Sequence, residues 1–322
     1  MEPSFPLFRL PKNVIVQVLQ STDPKELLII SLVSTKTKNL VTSLGLRARN
    51  IFIAFYHEVS ITVNIGRFGW NLIFRNDPND QNAEFDITRP ISASTFSLHK
   101  TFQPSTPFNF NNWLDHILTV FCYTKPLTVA FEPGSERFEM QSLKISLKNV
   151  NFAKIQGVTN IRTKEILKTF KDLNALYLRS IIFEDACEVQ KFFIQNFKTI
   201  IFHDVYSLDD MLLANSEIVN FRRPTTHKQF NRFVKHWIRG SNPRLQCMYL
   251  SITNSNSVSR DVLLKGIQCV DVAEEKQLEI CRKQGIVSDN MVEIRRKDGT
   301  PAVIATKEYE NNILRIRFLV FY

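Results

Sequence analysis

Two kinds of periodicity divide this chain. In its first fifty residues apolar positions recur at helical spacing. Val14, Ile15, Val18 and Leu19 fall on one face by the i, i+4 rule, and Pro11 suits the first turn of that helix. Asp23-Pro24-Lys25-Glu26 predicts a second helix start, with Asp23 as cap and Pro24 at the first helical position, followed by Leu27, Leu28, Ile30 and Leu32. A third short helix is predicted through Lys38, Leu40, Val41 and Leu44, with Gly45 placed to end it. Helices this short bury little surface alone. The segment therefore serves either as a unit completed by a partner or as a helical cap on the larger domain.

From Ile51 the period shortens. Ile51–Phe55, Ser60–Ile65 and Gly69–Phe74 read as strands, Asn76–Asp80 as a loop, and Asn112–Tyr123 as a helix with Trp113, Ile117, Val120 and Phe121 on its apolar side. A rhythm then begins. Strands are predicted at Leu143–Leu147, Leu176–Ile182, Thr199–Phe202, Ile218–Phe221 and Leu245–Ile252, with helices at Lys164–Phe170, Cys187–Phe197, Leu208–Leu213 and His227–Arg239 between them. Leu176, Ile200, Val219 and Met248 are separated by 24, 19 and 29 residues. A strand and a helix per ~20–29 residues is the period of leucine-rich repeats, although the strict signature is absent. The alternatives are a degenerate, leucine-rich-repeat-like curved sheet, which we favour, and an ordinary α/β arrangement.

His227–Arg239 is the clearest single element. Thr226 and Gln229 can close a capping box, Phe230, Phe233, Val234, Trp237 and Ile238 form an apolar stripe, and Asn231, Arg232, Lys235, His236 and Arg239 are expected to face away. Near the end, Met291–Arg296 and Ala302–Thr306 flank Lys297-Asp298-Gly299-Thr300, a hairpin signal. The alternation Leu314, Ile316, Phe318, Val320 predicts a last strand paired with that hairpin.

Composition narrows the function. The net charge is +10, but Lys and Arg are scattered, so nucleic acid is not the expected partner. Five cysteines without a C-x-x-C spacing argue against a disulfide framework or a zinc site and for reduced thiols inside a cell. No signal peptide follows Met1-Glu2-Pro3, and no apolar run of ~18 residues predicts a membrane span. The six histidines show no ligand spacing, and the adjacent His203-Asp204 would point to opposite faces of a strand. Phosphate-binding, dinucleotide-binding and nucleophile-elbow motifs are absent. No catalytic, cofactor-binding or metal residue is expected.

The run LPKNVIVQVLQSTDPKELLIISLVS, within residues 7–45, resembles the F-box motif. That resemblance implies a trihelical surface docking on the Skp adaptor of a cullin–RING ubiquitin ligase. By it, Leu10, Pro11, Ile15, Val18, Leu19, Leu28 and Val33 form or support the surface. Thr22 and Thr37 depart from the family, which usually has an apolar residue and an aromatic there. Phe230 to Leu245 is similar to the signature of the type 2 F-box-associated domain of nematode F-box proteins. The Trp113–Ile117 and Arg295–Thr300 pieces are similar to that group too.

The resulting expectation is an α+β chain: an F-box at 5–48, then a large α/β domain at 49–322 ending in a β-hairpin, its F-box-associated region clearest at 185–260. It would act without catalysis as the substrate-recognition subunit of an SCF-type ligase, in cytoplasm or nucleus. It would link the Skp adaptor, and through it cullin, to a target protein. The alternative is a repeat-type interaction module outside any ligase.

Overall fold

The computed structural model describes residues 9–75, 86–95, 101–102, 104, 106–179, 186–204, 206–253, 260–309 and 313–322. The predicted loop Asn76–Asp80 and the end of the strand predicted to reach Ile182 lie outside them. The chain forms two compact units. The first holds residues 1–153 and 161–172, and the second 154–160 and 173–322.

The first unit opens with α1 (Lys12–Gln20), α2 (Pro24–Ser31) and α3 (Thr35–Ser43). Asp23 caps α2 through the Lys25 N–H, with Pro24 at the first helical position as its missing N–H allows. Ser34 and Thr37 cap α3 reciprocally. Then come β1 (Asn50–Phe55), β2 (Val59–Ile65), β3 (Phe68–Arg75), β4 (Ser92–Thr95), β5 (Thr101–Phe102), α4 (Phe110–Val120), β6 (Leu127–Phe131), α5 (Met140–Ser146), β7 (Val150–Ile155) and α6 (Asn160–Thr169).

Six of its strands run in the order β6-β1-β2-β3-β4-β5. β1 pairs parallel with β6 and the other pairs are antiparallel. Their inner face is aromatic: Phe55 stacks on Phe131 at 5.6 Å, and Phe74 meets Phe110 and Trp113 edge-on. All five are fully buried.

One predicted strand is corrected. Leu143–Leu147 lies in a helix, α5, capped by Glu139, whose carboxylate accepts from the Gln141 and Ser142 N–H groups. Met140, Leu143, Ser146 and Leu147 are the buried positions, which is helical spacing and not alternation.

The second unit continues with β8 (Ala175–Leu178), α7 (Ala186–Phe193), β9 (Thr199–Phe202), α8 (Leu208–Leu213), β10 (Ile218–Thr225), α9 (His227–Ile238) and β11 (Cys247–Thr253). It ends with α10 (Arg260–Leu263), β12 (Val270–Asp271), α11 (Glu274–Gln284), β13 (Asn290–Arg295), β14 (Pro301–Tyr309) and β15 (Ile313–Val320). β8 to β11 are parallel neighbours in chain order, each followed by a helix or loop of the next crossover. Leu176, Ile200, Val219 and Met248 stand opposite one another in register, so the spacing read from sequence marks one structural row.

β15 adds antiparallel to β11, and β14, β13 and β12 follow outward. The Asp298-Gly299 turn closes the β13–β14 hairpin. Gly299 holds φ +90°, and Arg296 N–H bonds the Thr300 carbonyl. Leu314, Ile316, Phe318 and Val320 are buried as their alternation predicts.

Candidate functional site

The residues expected to make the adaptor surface divide into two sets. Ile15, Leu19 and Leu28 are 7%, 1% and 2% exposed and form the inside of the helical segment. Val18 and Val33 are 39% and 61% exposed, Pro11 is exposed and Leu10 part-buried. Burying Val or Leu is worth ~1.5–3 kcal/mol each, so contact of this outer set with a partner would be favourable. The inner set fixes the helices that carry it.

The two departures from the family have local explanations. Thr37 is 2% exposed and completes the α3 cap with Ser34, a position an aromatic could not fill by hydrogen bonding. The Thr22 hydroxyl donates to the Val18 carbonyl at 2.8 Å, joining the Ser21 N–H and hydroxyl on the same acceptor at the end of α1. Beside this loop an open groove of ≈ 560 Å³ is lined by Gln20–Pro24, Leu44, Leu46 and the β2–β3 turn, where Phe68 is 56% exposed.

The helical segment is fastened to the sheet behind it through α4. His116 Nε2 shares a 2.7 Å hydrogen bond with the Ser31 hydroxyl, both buried. Burial, and the charge of Lys38, push the His116 pKa down to about 4, so the ring is neutral at pH 7. Sequence reasoning places this histidine within a family-like piece but gives it no partner. Only the fold brings it to Ser31.

The F-box-associated signature is built inward. Thr226 and Gln229 cap α9 reciprocally, as expected. Phe230, Phe233, Val234 and Trp237 are fully buried. The helix ends in a double turn, with Gly240 N–H on the Trp237 carbonyl and Ser241 N–H on His236, and Gly240 at φ +113°.

Asn231 corrects the expectation that it faces away. It is 9% exposed, and its amide donates to the carbonyls of Leu263 and Lys265 at the end of α10. Asn242 does the same for α8, donating to Met211, Leu212 and Ala214 from a left-handed backbone at φ +52°. Arg296 of the hairpin turn lies 5.6 Å from the Trp237 ring and is held by Asp298. The conspicuous polar residues of this signature thus satisfy buried backbone and hold the fold.

No group of three or more His, Cys, Asp or Glu side chains able to hold a metal occurs among the described residues. Nor is any described helix long and apolar enough to cross a membrane.

Comparison with known proteins agrees with both ends of this geometry. Residues 7–49 match the family described as F-box domain, and residues 188–250 the family described as F-box associated. The chain carries both domains and fits the nematode F-box proteins. It is similar to the F-box associated domain-containing protein sdz-33 of Caenorhabditis elegans, 24% identical over 295 residues that cover 89% of this chain and 93% of that protein. No solved structure matches.

Proposed function

We propose that this protein is the substrate-recognition subunit of an SCF-type cullin–RING ubiquitin ligase. In this reading residues 7–49 dock on a Skp-type adaptor and the rest of the chain, from about residue 49, recruits a target protein. Leu10, Pro11, Val18 and Val33 touch the adaptor, while Ile15, Leu19 and Leu28 hold them in place. The observation that carries the reading is the F-box match coinciding with helices that expose Val18 and Val33 over a buried inner row. The row of parallel strands β8–β11 acts as a leucine-rich-repeat-like scaffold presenting loops and one sheet face. The protein performs no chemistry. It raises the effective concentration of target lysines near the charged conjugating enzyme. Its place is the cytoplasm or nucleus, where such ligases work.

One observation favours the alternative of an interaction module outside a ligase. The helical segment is tied to α4 within a single compact unit, as a cap would be. The two readings part on a direct test. Purified full-length protein should capture a Skp-type adaptor. Val18→Asp with Val33→Asp should reduce capture by about tenfold or more, while the circular dichroism spectrum and melting temperature stay unchanged. Absence of capture by the unaltered protein removes the ligase reading and leaves the cap.

A further inference from the structure

Along β8–β11 one side of the sheet is buried: Leu176, Leu178, Ile200, Phe202, Val219, Phe221, Met248 and Leu250 are all at most 4% exposed. The alternate positions tell another story. Tyr177, Ile201, Asn220 and Tyr249 lie in register on adjacent strands, Arg317 of β15 continues the row, and all five stay part-exposed.

Cations are gathered on that side. Lys154 Nζ lies 5.7 Å from the Tyr177 ring centre, and the Arg317 guanidinium 5.2 Å from that of Tyr249. The His203 ring centre is 5.7 Å from that of Tyr177. Arg179, two residues beyond Tyr177, is exposed. A register shift between Asn220 and Pro224 leaves Arg222 and Arg223 both exposed in succession, which regular alternation would forbid. Tyr206 fixes that irregularity, stacking on Phe221 at 4.0 Å and donating to the Arg223 carbonyl. Burial first, and then the charges of Arg222, Arg179 and Arg223, lower the His203 pKa from its ordinary value. Among the described residues Arg179, Arg222, Arg223 and Arg317 enter no ion pair, although cations elsewhere in the chain do.

We propose that this face, from Lys154 and Tyr177 through Arg179 and Arg222 to Tyr249 and Arg317, docks an acidic, extended segment of a partner protein. If the ligase reading holds, this names the class of its target, and the proposal rests on that reading only for the word target. Charge complementarity carries it. Guanidinium groups take carboxylates in paired hydrogen bonds, so an acidic strand offers these arginines the charge partners they do not have among the described residues. A polypeptide suits the face better than nucleic acid. Stacking of bases needs open aromatic faces, whereas each tyrosine here already has a cation against its ring.

The test uses the full-length protein and three fluorescent probes: an oligoglutamate peptide of about twelve residues, an oligoglutamine peptide of equal length, and a single-stranded oligonucleotide of similar charge. The oligoglutamate should bind, more weakly as salt rises, and the oligoglutamine should not. Arg179→Glu with Arg222→Glu should weaken oligoglutamate binding about tenfold or more at unchanged melting temperature. Arg282→Glu with Lys283→Glu, an equal charge change on α11, should leave it near the original value. Equal weakening by the two pairs, absence of oligoglutamate binding at low salt, or tighter oligonucleotide binding would each overturn the proposal. Adaptor capture measured on the same samples separates this outcome from failure of the ligase reading, since the arginine pair should leave capture intact.

Discussion

α4 in the first unit and α9 in the second are built to the same plan and secured by different chemistry. Each opens with a reciprocal cap, Asn109 with Asn112 and Thr226 with Gln229, and each buries one tryptophan completely. Trp113 donates its Nε1–H to the Ile91 carbonyl at 3.0 Å. Among the described residues Trp237 finds no acceptor for its N–H and instead has Arg296 against its ring and Phe318 edge-on at 5.0 Å. The polar tie of α4 is a histidine, His116 to Ser31. Those around α9 are amides, Asn231 and Asn242, which do not titrate. Amphipathic patterning therefore buries a helix in either setting, while the polar contacts decide to what the neighbourhood is sensitive.

The strongest way to break this comparison is at the tryptophans. Trp113→Ala and Trp237→Ala should each destabilise their unit by ~3–5 kcal/mol through lost burial and the cavity left behind. The Phe variants should differ. Trp113→Phe orphans the Ile91 carbonyl, adding ~1–3 kcal/mol, whereas Trp237→Phe removes an N–H that had no partner. Urea unfolding followed by far-ultraviolet circular dichroism measures both pairs. Equal losses for the two Phe variants would show that the hydrogen bond at Ile91 contributes nothing.

Acid should act on the first unit through His116. Its folded pKa of about 4 lies below the ordinary 6.5. The folded state thus holds the neutral ring, and the unfolded chain takes up the proton first. The stability is complete above pH ~6.5 and is lost as pH falls from there towards ~4, by up to ~3 kcal/mol. Lys38 adds to the effect, since its charge opposes a second one nearby. Hydrogen exchange in α2 and α4 should accelerate between pH 7 and 5, after correction for intrinsic rates, and α9 should serve as the reference that does not. His116→Gln should flatten the dependence. A slope that survives this substitution would move the titration to another group.

Legibility in the sequence divides along the same line. Elements with strong local signals are legible: α9 with its cap and Gly240, the Asp298-Gly299 hairpin, and the register row Leu176, Ile200, Val219, Met248. α5 reads as a strand because Leu143, Ile145 and Leu147 imitate alternation, while the real signal is Glu139 as cap and burial of Met140, Leu143 and Leu147. Of the residues proposed to face the adaptor, the F-box resemblance names the positions but not their separation into a buried row and an exposed one. Asn231 reads as a solvent residue because helical phase puts it at the rim of the stripe. Its carbonyl partners come from residues 263 and 265, more than thirty positions away. The cationic sheet face is invisible for the same reason. Arg179, Arg222 and Arg317 are scattered along the chain and come to one sheet only through strand pairing.

The smallest effect is at Asn242, and it separates two causes that usually travel together. Its amide nitrogen shares two hydrogens among the carbonyls of Met211, Leu212 and Ala214 at the end of α8, and its backbone holds φ +52°, where a β-carbon is unwelcome. Asn242→Gly removes the amide but keeps the backbone free. Asn242→Ala removes the amide and adds left-handed strain. The glycine variant should lose ~1–2 kcal/mol from the orphaned carbonyls, and the alanine variant about 1 kcal/mol more. Both losses should be independent of pH from 7 to 5, unlike the His116 effect, because no charge forms on either side of the contact. Equal losses for glycine and alanine would mean that the backbone at this position relaxes. Asn242 would then serve only as the donor that closes α8.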